Sequence, residues 1–110
     1  MSPTALKIGD LRHRILFQAE IPVDDQHHGH TIIWKDVATV WALVEPVSGR
    51  EFFYSQQLKN TITHKIKIRF RSDINVELRI VFGTRIMKIE SMINIQEGDR
   101  FMELRCIEDM

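Results

Sequence analysis

The stretch Ile62-Thr63-His64-Lys65-Ile66-Lys67-Ile68-Arg69-Phe70-Arg71 decides the fold. Ile62, Ile66, Ile68 and Phe70 share one side of an extended chain with His64, while Thr63, Lys65, Lys67, Arg69 and Arg71 share the other. Alternation with period two is the pattern of a half-buried strand, not of a helix with its period of 3.6. Upstream, residues 38–45 (Ala-Thr-Val-Trp-Ala-Leu-Val-Glu) are apolar on both faces. They predict a central strand, or one whose outer face a partner covers, with Trp41 buried and Pro46 as its end. Residues 14–19 send Ile15 and Phe17 one way and Arg14 and Gln18 the other, with Leu16 as an exception. Residues 22–30 read as a polar loop, expected to be mobile until a partner orders it.

Downstream, residues 78–82 and 85–90 flank Gly83-Thr84, which predicts a hairpin whose two-residue turn has Gly83 first, where a positive φ is needed. Residues 101–107 form a closing strand after a turn over 96–99. One segment breaks the pattern. Ser48, with Glu51 three residues on, matches a capping box and predicts a short helix running through Phe52, Phe53 and Tyr54. The expected fold is mainly β: a small six- to seven-stranded β-barrel with one short inserted helix and a long mobile loop, one domain over residues 1–110.

Composition narrows the function. With 110 residues, 44% hydrophobic and 27% charged, the chain matches a folded domain, and its apolar runs fall short of the ~18 residues of a membrane helix. Fifteen Lys and Arg balance fifteen Asp and Glu, so no global field draws it to nucleic acid or an anionic membrane. The start lacks the apolar run of a secretory signal, and Cys106 stands alone, which together predict a protein kept in a reducing cell interior.

His27, His28 and His30 first suggest a metal site. Adjacent His27 and His28 would point to opposite faces of an extended chain and no cysteine lies near, so a solvated loop tip is the better reading. No Gly-x-Ser-x-Gly elbow, P-loop, dinucleotide fingerprint or HExxH is present. Cys106 and His64 both read as core residues. Lys65, Lys67, Arg69 and Arg71 stand about 6.6 Å apart along one strand face, a stripe that could track phosphates; nucleic-acid platforms interleave aromatics with the cations, and this strand face has none. Phe52, Phe53 and Tyr54, turning by about 100° per residue on a helix, cannot all enter one core, so at least one should meet a partner.

Taken in order, Ile8-Gly9-Asp10-Leu11-Arg12-His13-Arg14-Ile15, then Asp25, Gly29 and Trp34, Val37-Ala38-Thr39-Val40-Trp41-Ala42, Glu45-Pro46-Val47-Ser48-Gly49-Arg50-Glu51, Thr63-His64-Lys65-Ile66, Ile68-Arg69 and Glu103-Leu104-Arg105-Cys106 carry a resemblance. The chain resembles the phage head–tail joining (head-closure, or head–tail adaptor) proteins of long-tailed phages and prophages. The resemblance implies a small β-barrel that assembles as a ring, typically of twelve, beneath the portal of a DNA-filled head. Such a ring extends and helps close the DNA channel and presents the surface on which the tail docks. Its implied partners are further copies of itself, the portal protein and a tail-completion or tail-terminator protein, with packaged DNA enclosed and not read by sequence. It implies no cofactor, metal, catalytic residue or membrane, and a location in the host cytoplasm during assembly and then at the virion head–tail interface. The long loop and the helix make subunit and portal contacts in such proteins, which would place Gln26, His27, His28, His30, Arg50, Phe52, Phe53, Tyr54, Gln56 and Gln57 in interfaces. The histidines depart from the family, whose loop is richer in Gly, Ser and Thr. The stripe from Lys65 to Arg71 is expected to meet acidic groups of a neighbour, or water, and not to line the channel. Two rival readings are a small-barrel nucleic-acid binder using that stripe and a metal-dependent enzyme centred on His27, His28 and His30.

Overall fold

The structure, a computed structural model, describes residues 6–25, 29–47 and 62–109. Six strands account for most of them: β1 (His13–Asp25), β2 (Gly29–Pro46), β3 (His64–Arg69), β4 (Arg79–Phe82), β5 (Arg85–Asn94) and β6 (Phe101–Asp109). All neighbours pair antiparallel in the order β1-β2-β3-β6-β5-β4, and β4 pairs again with β1, so the sheet closes on itself. Closure leaves an interior that only alternate side chains can enter. Phe17, Ile66, Ile68, Ile80, Met87 and Leu104 fill it with no exposure to solvent. His64, Ile66 and Ile68 alternate with outward Lys65, Lys67 and Arg69, as the sequence pattern predicts.

Gly83 adopts φ +64 at the β4–β5 turn while Thr84 does not enter the left-handed region, which suits a turn that needs a positive φ only at its first position. The imperfect alternation of β5 has a local cause. Ile89 pairs with Cys106 and Ser91 with Arg105, so Glu90 is bulged and Met92, not Ser91, returns to the core side. The turn before β6 holds Gln96, Glu97 and Asp99 at φ 55, 51 and 54, and Asn94 fastens it: its amide donates to Asp99 at 2.7 Å and its carbonyl accepts the Asp99 backbone N–H at 3.1 Å.

Two expectations need correction. Of the supposed loop over 22–30, the part up to Asp25 belongs to β1 and the part from Gly29 to β2, paired from Ala19↔Lys35 through Ile21↔Ile33 to Asp25↔Gly29. β1 leaves β4 after Gln18, and β2 joins β3 only from Ala42, so this hairpin extends past the closed sheet as a two-stranded arm. Trp41 is not core. Val40, Ala42 and Val44 take the inward side of β2 and leave Trp41 on the outside, 54% exposed. The expected helix from Ser48 lies outside the described residues.

Candidate functional site

The only buried polar residue among those described is His64, at the end of the core where β3, β5 and β6 meet. Its Nε2 lies 3.1 Å from an Arg85 guanidinium nitrogen, which can only donate, so Nε2 accepts and the proton sits on Nδ1. Nδ1 then donates to Thr63 Oγ1 at 3.0 Å, Thr63 Oγ1 also accepts the Glu108 backbone N–H at 2.7 Å, and its hydroxyl donates to the Cys106 carbonyl at 3.3 Å. Arg85 grips Glu108 with two bonds of 2.7 and 2.9 Å. Burial, then the neighbouring Arg85 charge, lowers the His64 pKa against the opposing pull of Glu108, 3.8 Å away. The network is satisfied and closed, the arrangement of a structural histidine. Burial also pushes Cys106 up to about 12, so it offers no thiolate near neutrality. Among the described residues, no three His, Cys, Asp or Glu are grouped to hold a metal ion.

The cationic stripe is partly neutralised within the chain. Lys67 meets Glu45 of β2 at 3.2 Å and Arg71 chelates Asp73 at 2.8 and 2.9 Å, while across the same outer face Arg105 pairs with Glu103 at 3.1 Å. Arg69 makes no ion pair among the described residues. Its surroundings are what one strand cannot reveal. Arg69 pairs with Phe101 on β6, Trp41 stands one step beyond the Ala42↔Ile68 pair on β2, and Arg14 pairs with Trp41 on β1. The closed sheet therefore assembles an outer row Arg14, Trp41, Arg69, Phe101. The Arg14 guanidinium lies 4.8 Å from the Trp41 ring and Arg100 lies 5.9 Å from Phe101. Aromatics interleave with the cations after all, supplied by neighbouring strands.

The arm is the second exposed feature. Its register steps between Phe17 and Gln18, which pair with Ala38 and Asp36 and leave Val37 bulged and exposed. After that bulge Ile21, Val23 and Ile33 share one face, while Pro22, Ile32 and Trp34 share the other. Ile32 and Ile33 are each about half exposed, at 50% and 51%. A ribbon apolar on both faces has no core of its own to cover either. At its root, Arg79 stacks 3.9 Å from the Trp34 ring and donates to Gln18 at 2.8 Å, beside an open groove of ≈ 940 Å³ between the arm, Leu78 and Met87.

Of the residues singled out from sequence, His30 holds a position in β2; Gln26, His27, His28, Arg50, Phe52, Phe53, Tyr54, Gln56 and Gln57 lie outside the described residues. Sequence reading missed Trp41 and Phe101 as partners of the arginines, because cross-strand register has no signal in a single strand.

A family of known proteins has this sequence pattern. The model of the phage head completion protein family matches residues 6–109. The chain belongs to that family. Among head completion proteins, gp16 of Bacillus phage SPP1 is 29% identical over 73 residues, which cover 66% of this chain and 67% of gp16. The solution structure of protein SF1141 from Shigella flexneri 2a matches with a TM-score of 0.74 and 31% identity over 94% of this chain and 96% of that one. A chain from the virion of a native gene transfer agent particle matches with a TM-score of 0.60 and 18% identity, covering 90% and 96% of the two chains, a likeness of fold. The role of this head completion protein is thus structural, in completing a phage head.

Proposed function

We propose that the protein forms a ring between the portal of a DNA-filled phage head and the tail, extends the DNA channel there and presents the surface to which a tail-completion protein docks. The match of residues 6–109 to the head completion family carries this reading. The molecule's chemistry agrees with it: the buried histidine is locked in a closed network, the cysteine offers no thiolate near neutrality, and Trp41, Ile32 and Ile33 are each about half exposed. Such a surface gains by association, because ring closure uses the same patch repeatedly. Gln26 to His30 and Arg50 to Gln57 are the proposed subunit and portal contacts, and Lys65 to Arg71 a charged face toward a neighbour.

The test is loss of the gene from the phage that encodes it. DNA-filled heads and finished tails should accumulate unjoined, and antibody to the protein should mark the neck of wild-type particles. Joined particles of normal yield would overturn the reading. A second reading, a nucleic-acid binder, is favoured by the row of Arg14, Trp41, Arg69 and Phe101, since bases stack on aromatics flanked by cations. It requires DNA affinity in the isolated protein that falls steeply with salt.

A further inference from the structure

The described arginines divide by partner. Arg71, Arg85 and Arg105 each hold a carboxylate of their own chain, on Asp73, Glu108 and Glu103, and Arg79 donates to Gln18. Arg12, Arg14, Arg69 and Arg100 are exposed and hold no carboxylate among the described residues. Arg14 and Arg100 lie instead beside the rings of Trp41 and Phe101, at 4.8 and 5.9 Å. A guanidinium resting on an aromatic ring keeps its N–H edge free for the two parallel bonds that a carboxylate accepts. Trp41, with more than half its surface in solvent, stands between Arg14 and Arg69 in the row.

We propose that the row formed by Arg14, Trp41, Arg69 and Phe101 docks an extended acidic segment of another protein, which sets one carboxylate on Arg14, an apolar side chain on Trp41 and a second carboxylate on Arg69. This rests on the reading above that the protein presents a docking surface, and it names what docks. The row crosses β1, β2, β3 and β6 in turn, so it runs around the girth of a closed sheet, whose outside is convex. A straight rod such as a helix or a duplex touches a convex surface over a short line, while an extended chain bends with it. Adjacent strands lie about 4.8 Å apart, which separates Arg14 from Arg69 by about 10 Å, three residues of extended chain at about 3.3 Å each. The segment therefore carries two acidic residues three apart with an apolar residue between them. No two of this chain's fifteen acidic residues stand three apart, so a second copy does not supply the match. Trp41 is the anchor, since large aromatics and arginine supply most of the energy at interface centres. Nucleic acid fits less well: Arg14 already covers the Trp41 ring on which a base would stack, and zero net charge gives a polyanion no long-range pull.

The experiment is selection of short linear random peptides, displayed in many copies on yeast so that a weak single contact is still captured, against the purified protein. Enriched sequences should carry two acidic residues three apart with an apolar residue between. Arg14→Glu with Arg69→Glu, and separately Trp41→Ala, should each weaken their binding at least tenfold, while Lys35→Glu with Lys88→Glu leaves it unchanged and circular dichroism reports an intact sheet in all three. Selection repeated on the Arg14→Glu, Arg69→Glu protein should return basic residues at the two acidic positions, which loss of folding could not produce. Enrichment without paired acidic residues, binding indifferent to the arginines or to Trp41, or no basic counterpart in the second selection would overturn the proposal. So would self-association, or salt-dependent binding of a single-stranded oligonucleotide, that Arg14→Glu with Arg69→Glu abolishes: the surface would then belong to a second copy or to nucleic acid. If the peptides fail but antibody still marks the particle neck, only this surface falls; if they behave as expected but the neck is unmarked, only the head–tail reading falls.

Discussion

His64 combines deep burial with a full set of partners, and its protonation therefore has a definite sign. A proton added at Nε2 would face the Arg85 guanidinium 3.1 Å away, in a site already poor in water. The folded pKa lies below the ordinary 6.5. Above pH 6.5 the ring is neutral in both folded and unfolded chains, and its contribution to stability is intact. As pH falls below 6.5 the unfolded chain takes up a proton that the folded chain refuses, so stability drops until the folded pKa is passed. Two-dimensional NMR of the imidazoles should find His64 as the Nδ1–H tautomer, titrating below 6.5; titration above that value would refute the network. Trp41 makes the opposite case. More than half of it faces solvent, so Trp41→Ala should change the stability of the monomer by less than about 1 kcal/mol, against about 3–5 kcal/mol for Phe17→Ala inside the sheet. Equal denaturation midpoints for the two variants would contradict this division.

At the scale of elements, alternation marks β3 because its inward isoleucines meet a core and its outward lysines meet water, which is the condition under which period two carries information. It marks the body end of β1 for the same reason, with Ile15 and Phe17 inward and Arg14 and Gln18 outward. It fails for the arm, where neither face meets a core, and the polar tip reads as a loop although its backbone continues the ladder from Ala19↔Lys35 outward. Bulges at Val37 and Glu90 defeat it again, since one extra residue exchanges the two faces of everything beyond. Apolarity on both faces of residues 38–45 had two readings, a central strand or a covered outer face; the exposure of Trp41 favours the second. The candidate surface was therefore legible only in part: its cations stand out in the sequence, but the aromatics beside Arg14 and Arg69 come from strands 27 and 32 residues away. The turn at 95–99 yields an element-scale prediction. Glu97 holds φ 51 with a side chain that gains nothing from the left-handed region, so Glu97→Gly should raise stability by about 0.5–1 kcal/mol in urea titration. A lower midpoint would mean that the Glu97 side chain holds the turn.

For the whole molecule, closure is only as strong as its narrowest seam. β5 and β6 pair almost along their full lengths, from Ile86↔Asp109 to Asn94↔Met102. β1 and β4 meet only at Leu16↔Val81, Phe17↔Ile80 and Gln18↔Arg79, beside the point where the arm departs. Phe17 and Ile80 are fully buried there, so apolar burial holds the seam more than its ladder does, and the bond from Arg79 to Gln18 closes it at the edge. Local opening should therefore begin at β4, the shortest strand, and leave the β5–β6 ladder intact. Amide hydrogen exchange tests this directly. Residues 79–82 should exchange at a lower opening free energy than residues 102–107, and Arg79→Ala should speed exchange at the seam while leaving β6 unchanged. Uniform exchange across all six strands would mean that the closed sheet opens as one unit, with no weak seam beside the arm.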